Sequence, residues 1–427
     1  MRILDWRDGL MLHRKTCIYA VLGVCAAILL YMLRAGAYPL LFSDEFYFSE
    51  IYADALNKEI IWHRFWNVRE DHFYVFLKMW FWLVVYLGLD WRVTMHLQVL
   101  LLVFTACAMV KYKYGMVEKP IGYFCCAVSI LVFLSPRQWE NIYWALQMSA
   151  ALMLCFSIMA FIFVDLFAKN KKVRFLVGSV IFAILSIFSN GGGKITLAVV
   201  FIMLFISFFE RLKYYIDSHF MKISLLSAVA FIAAMCILKN VEFSETIGYL
   251  LAFLANSVQD FSWDGNDALT KILGALIMAL MISVLYKGDF WKKNNFFELS
   301  ILLFGVISAL AICYTRLGNG MYQAVASRYY NFSSMTVIGV IFLMDRNENW
   351  NIFAKYSSYF LMGIVIFSYS KSAVFEMKSA PNKKIFMRYS HEKLCSGEDI
   401  SGIYGGDKKY TDLNVVREIF CQEKQPE

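Results

Sequence analysis

Two adjacent carboxylates, Asp44 and Glu45, follow the first long apolar run of the chain. After them Phe48, Ile51, Tyr52, Ala55 and Leu56 recur at helical spacing. Ser43 suits a helix N-cap, and acids suit the first turn, where the positive end of the helix dipole lies. The pair therefore either caps an amphipathic surface helix or supplies a general base with an orienting partner. Adjacent side chains at a helix start point different ways. In the second reading Asp44 takes a proton from an acceptor and Glu45 fixes the geometry.

Other loops carry similar clusters. Glu140 stands with Trp139, Asn141 and Trp144 beside Arg137. A carboxylate near membrane depth is costly unless paired, so Glu140 is a site candidate, and the two indoles offer faces on which a sugar can stack. Arg316, Arg328 and Tyr329 bracket another loop. A guanidinium there either binds phosphate oxygens bidentately or pairs internally with Glu140 or Glu45. Arg64, Arg69, Glu70, Asp71 and His72 are either interfacial anchors or phosphate-binding groups facing Asp44. The Gly191-Gly192-Gly193-Lys194 stretch is not a nucleotide-phosphate loop, because Phe188 and Ile195 occupy positions that need Gly and Ser/Thr. It is a tight turn, or a backbone that a ligand approaches closely with Lys194 supplying charge. Six histidines form no i, i+4 pair and ten cysteines show no zinc spacing, so no metal and no cofactor is expected.

The elements that position these groups are membrane spans. Hydrophobic residues make up 60% of the chain and charged ones 17%, which excludes an ordinary soluble domain. Long apolar runs without short alternating segments exclude a transmembrane barrel. The expected class is an all-α polytopic membrane protein with about 9–11 transmembrane helices. The expected spans are 16–33, 94–110, 119–134, 146–167, 175–188, 195–209, 223–238, 268–286, 296–314, 330–344 and 356–370. The first reads as an uncleaved anchor, longer than a signal-peptide core.

Orientation follows from charge. Gaps 1–15, 111–118, 168–174, 210–222, 287–295 and 345–355 are rich in Lys and Arg and belong on the cytoplasmic side. The same rule accounts for the formal net charge of +8, so no nucleic-acid partner is implied. The alternate gaps, which hold these chemical clusters, share the opposite face. Residues 73–88 are apolar except Lys78. Letting them span would invert every later basic gap, so they are expected to lie in the outer interface, within an external loop and interfacial helices over 34–93. Residues 1–370 form the membrane domain. Residues 371–427 are expected to leave the membrane as a small external tail, where Cys395 and Cys421 can form a disulfide.

The Asp44-Glu45 pair in the first outer loop, followed by interfacial helices and many spans, resembles the GT-C superfamily of membrane glycosyltransferases. The stretch Phe46 to Tyr52, Gln138-Trp139-Glu140-Asn141 with Gln147, Asn190-Gly191 and Ser327-Arg328-Tyr329 look most like phage-encoded serotype-converting O-antigen glucosyltransferases. The resemblance implies periplasmic transfer of a hexose, with glucose expected, from an undecaprenyl-phosphate-linked sugar to a glycan acceptor. A donor synthase and a flippase would act alongside. It implies that Asp44 is the base, that Glu45 and Glu140 orient the acceptor or stabilise charge on the sugar, and that Arg328 with Lys194, Arg137 or Arg64 takes the leaving lipid phosphate. The adjacent acids, rather than a spaced Asp-x-Asp, weaken any metal requirement. An O-antigen polymerase would bring arginine-rich paired outer loops, and a lipid-linked-sugar flippase would bring mid-membrane charges and inverted repeats.

Overall fold

The computed structural model describes residues 6–39, 45, 48–68, 72–116, 120–208, 242–258, 268–287, 295–344, 352–398 and 413–421. Asp44, Glu70 and the expected span 223–238 lie outside the described residues. Among those described there are helices and no strands. In chain order they are α1 (Trp6–Gly36), α2 (Ser49–Leu56), α3 (Trp62–Trp66), α4 (Val75–Tyr86), α5 (Arg92–Tyr114), α6 (Pro120–Phe133), α7 (Glu140–Tyr143), α8 (Met148–Asn170), α9 (Val173–Ser189) and α10 (Gly193–Phe208). There follow α11 (Phe243–Ala255), α12 (Ala268–Lys287), α13 (Phe296–Arg316), α14 (Tyr330–Met344), α15 (Ile352–Ser396) and α16 (Leu413–Phe420). Six helices are long and apolar enough to cross a membrane, within α1, α5, α8 with its preceding turn, α12, α13 and α15. The chain is an all-α multi-pass membrane protein.

The centre of the bundle is α14. Every residue from Tyr330 to Leu343 is buried, so its sequence has no polar face. It packs along α13 and also touches α6, α11 and α12. Gly305 and Gly339 set the α13–α14 distance. A β-carbon on Gly305 would meet the Thr336 backbone, and one on Gly339 the backbone of Leu302. Small residues at a crossing let helices approach when lipid supplies no hydrophobic drive to associate. Outward-facing Leu100, Phe104, Phe201 and Phe205 are exposed, as a lipid-facing surface requires.

Ionisable groups collect at two ends. At the end carrying the basic gaps, Lys113 Nζ donates to Glu298 Oε1 at 2.7 Å and to the Phe342 carbonyl at 3.0 Å, with both charged side chains fully buried. Next to it the Tyr112 hydroxyl and Lys169 Nζ both donate to Asp165 Oδ2 at 2.5 Å. These bonds fasten α5, α8, α13 and α14 together. At the opposite end lie α2, α3, α4, α7 and α11. With 12 residues, α4 is too short to span. It packs on α2, α8 and α9, in keeping with the interfacial position expected for 73–88. The buried Lys78 that interrupts its sequence donates to the carbonyls of Arg64 and Asn67, closing the C-terminal end of α3.

The chain does not change element at 370/371, because α15 runs for 45 residues as far as Ser396. At 1.5 Å per residue that is roughly 67 Å, more than twice a hydrocarbon core of ~30 Å. Hydropathy falls after residue 370, but the helical burial period persists through Tyr369, Ala373, Glu376, Ala380, Met387, His391 and Leu394. The helix packs along α1 and ends under α16, to which the Cys395–Cys421 disulfide ties it. The Arg417 Nε donates to the Leu394 carbonyl at 3.0 Å beside that bridge.

The buried Lys113–Glu298 pair gives a stability prediction. Glu298→Gln should cost ~3–5 kcal/mol by leaving a buried lysine unpaired. The double variant Lys113→Met/Glu298→Leu should recover most of that loss. Thermal unfolding in a neutral detergent measures both, and equal losses in single and double variants would contradict the pairing.

Candidate functional site

The loops of the acidic end are built on a carboxylate clamp. Glu140 begins the four-residue α7. Its Oε2 accepts the Ser327 hydroxyl at 2.7 Å and the Arg328 backbone N–H at 2.8 Å. Its Oε1 lies 3.4 Å from Arg328 Nη1, and its own N–H donates to Ser327 Oγ at 3.1 Å. The Arg328 Nη2 reaches Gln323 Oε1 at 2.7 Å, and its guanidinium lies over the Tyr329 ring. Asn141 Nδ2 donates to the Ser327 carbonyl at 3.3 Å, and Asn256 Nδ2 to the Ala326 carbonyl at 3.1 Å. Of the alternatives open for Arg328, the structure contains the internal pair with Glu140. Two loops 187 residues apart in sequence are thereby one unit.

Glu45 is wholly buried, and its Oε1 accepts the Leu146 backbone N–H at 2.6 Å. That donor lies in the short turn Ala145–Gln147 leading into α8, where unsatisfied N–H groups favour a carboxylate. The Tyr52 hydroxyl donates to the Glu45 carbonyl at 3.0 Å. Burial, with the Glu45 charge alongside, holds the Tyr52 hydroxyl protonated well above its ordinary range. Glu45 is thus a fixed group, and it anchors the loop containing Asp44 to the same α7–α8 corner that holds Glu140.

His72 joins a second pair of loops. The Gly191 N–H donates to its Nδ1 at 2.8 Å, and a β-carbon at Gly191 would run into the imidazole. Glycine is needed there for close approach of a side chain of this same protein. Asn190 closes the turn, its Oδ1 accepting the Gly192 N–H at 3.0 Å and its Nδ2 donating to Ser149 Oγ at 2.9 Å. His72 stacks on Tyr74, which meets Phe48 edge-on.

The remaining cations divide. Arg64 pairs with Asp54 at 2.5 Å and braces α3 on α2. Lys194 and Arg316 are exposed at helix ends, and Arg137 is half-buried beside Ser135 and Tyr330. None of these lines the cavity of about 290 Å³ that the described residues form between α1, α7 and α15. Tyr38, Trp139, Tyr143, Trp144 and Phe386 form its walls, so both indoles expected at a sugar site are there. Its cation is Lys383, missed in the sequence because 371–427 read as tail. The ammonium lies 4.5 Å from the Trp139 ring centroid and 5.5 Å from that of Tyr143, and it pairs with Glu376. Helical periodicity past residue 370 was the signal that could have found it.

The disulfide segment adjoins this cavity. His391 Nε2 donates to the Phe420 carbonyl at 2.7 Å, and its Nδ1 bonds the Tyr38 hydroxyl at 3.0 Å. Phe420 meets Trp91 edge-on, and α16 rests on α2. His391, Cys395 and Cys421 lie close enough to suggest metal ligands, but both thiols are spent in the disulfide and both imidazole nitrogens are bonded. No protein-family model matches the chain, and no curated protein matches it either.

The clamp can be tested directly. Glu140→Gln should lower stability by ~1.5–3 kcal/mol, the range for hydrogen bonds to a charged group, and Ser327→Ala by ~0.5–1.5 kcal/mol. Limited proteolysis should find new cuts between residues 317 and 329 in Glu140→Gln. An unchanged melt and digest for that variant would contradict the clamp.

Proposed function

We propose that the chain is a glycosyltransferase of the bacterial inner membrane. It moves a hexose, with glucose expected, from an undecaprenyl-phosphate-linked donor to an O-antigen or related surface glycan, on the periplasmic face, with inversion and without a metal. The observation that carries the reading is convergence. The loop of the acidic pair, the Glu140–Arg328 clamp and an aromatic cavity with a lysine meet at one end of a membrane bundle. The opposite end holds the Lys113–Glu298 and Asp165–Lys169 pairs and abuts the lysine-rich gaps. The Cys395–Cys421 disulfide, joined to the acidic end through His391 and Tyr38, favours an oxidising compartment for that end. No nucleotide-sugar pool exists there, so the donor must be carried by a lipid.

In this mechanism the acceptor hydroxyl attacks the anomeric carbon of the donor. The bond from that carbon to the phosphate oxygen breaks, and the lipid phosphate leaves with the electron pair. Asp44 receives the hydroxyl proton. Glu45, held by the Leu146 N–H, positions the Asp44 loop. The clamp holds Arg328 and Tyr329 against α7, beside indoles that stack on sugar faces. Preorganised groups of this sort cost no reorganisation when charge develops on the departing phosphate.

Asp44→Asn should lower transfer ~10²–10⁴-fold, the usual worth of a general base. Expression in a host of known O-antigen, followed by mass and linkage analysis of its lipopolysaccharide, reads the outcome. One added hexose per repeat is expected from the native chain and none from Asp44→Asn. A changed chain length with unaltered repeats points to a polymerase instead. Detection of a tag at the carboxyl terminus on the cytoplasmic side would remove the basis of the proposal.

A further inference from the structure

We propose that the cavity at Lys383 binds a single-chain lipid phosphate, with the Lys383 ammonium as the phosphate contact and the aromatic walls around the start of the chain. This deepens the transfer reading by assigning the donor's phosphate a residue and a cavity, and it rests on that reading only for the attached sugar.

The argument begins with the walls. Trp139, Tyr143, Trp144 and Phe386 give the cavity an apolar lining, and Lys383 is the sole cation on it. A lysine inside an aromatic box is costly without an anion nearby. Glu376, with Ser379 on the same carboxylate, supplies that anion. That pair uses one of three ammonium N–H donors; the ring faces of Trp139 and Tyr143 flank the ammonium, Ser379 and Asn382 line the same cavity, and the Glu140 carboxylate lies within electrostatic reach. Two donors thus remain for phosphate oxygens. Of the cations nominated from sequence, Arg64 and Arg328 each answer an internal carboxylate, while Lys194 and Arg316 stand exposed away from any described cavity.

The chain follows from the surface beside the cavity. Phe386 lines it and is half exposed, and Ile385 and Tyr389 beside it make an exposed apolar strip on the same stretch of α15, with Val374 and Phe375 exposed beyond Lys378 and Asn382. An amphiphile with its head at Lys383 can lay its tail along that strip. Size selects the number of chains. About 290 Å³ is at the small end of ligand pockets, which run ~300–1,000 Å³, and suits one head with the beginning of one chain rather than a two-chain glycerolipid.

The test uses the full-length protein in a neutral detergent. Farnesyl phosphate, farnesol and phosphatidylglycerol serve as probes, and native mass spectrometry counts bound ligand. Farnesyl phosphate should bind at least tenfold more tightly than farnesol. Lys383→Met should reduce it to the farnesol level, and Lys383→Arg should retain it. Met387→Trp, which fills the cavity while leaving the charge, should weaken farnesyl phosphate and farnesol together and keeps the question open to test should Lys383→Met not fold. Equal binding of the alcohol and the phosphate, full binding by Lys383→Met, or no effect of Met387→Trp would each overturn the assignment. So would displacement of farnesyl phosphate by equimolar phosphatidylglycerol, which would mark a bilayer-lipid site. The expected binding pattern in a chain that transfers no hexose would leave the lipid site standing and remove the transferase reading. Hexose transfer that persists in Lys383→Met would remove the site alone.

Discussion

A bilayer core offers no water to a charge or to an open backbone, and the arrangement of this protein depends on that fact. Ionisable side chains are driven to the two ends of the bundle and are answered there by specific partners. At the basic end Glu298 answers Lys113, and Asp165 answers Lys169 and Tyr112. At the acidic end a backbone N–H answers Glu45, a serine and an arginine answer Glu140, and Glu376 answers Lys383. Between them the helices make contact through small residues and hydroxyls, as at Gly305 with Thr336 and at Ser157 with Thr196.

The acidic end gains rigidity from this pairing. Among the described residues three loop attachments are seen: Glu45 is held by the start of α8, the Ser327–Tyr329 turn by Glu140, and the Gly191 turn by His72. Loops at a membrane surface are ordinarily the mobile parts of a helical bundle. Here their polar groups are consumed in mutual attachment, which gives a fixed vestibule. The pairing also changes the roles of residues. Glu45 and Glu140 act as fasteners between loops.

Much of this was legible in the sequence. Ten of the eleven expected spans coincide with described helices, because a long apolar run has few alternatives. An interfacial place for 73–88 was an expectation from charge bias alone, and the helix found there, α4, has 12 residues. The disulfide followed from two cysteines isolated in a polar segment. What was not legible depended on partners distant in sequence. No spacing rule reveals that Glu140 bonds residues near 327 or that Gly191 makes room for His72. Lys78 looked like a flaw in an apolar run, and its purpose, closing the end of α3, needs the three-dimensional neighbour. That the helix runs on past residue 370 was missed, because average hydropathy was followed there in place of periodicity. A helix that has left the lipid can carry charges on its wet side and still bury every third or fourth residue.

The contact between α1 and α15 has a consequence for biogenesis. The first and the last long helices among the described residues are neighbours, and Tyr369 reaches Cys25 across 344 positions of sequence. Until α15 is inserted, α1 has lipid where its partner belongs, and the aromatic box has only part of its wall. Sealing the bundle therefore waits for insertion of α15. A chain cut short before residue 352 is left as an open-sided intermediate for quality-control proteases.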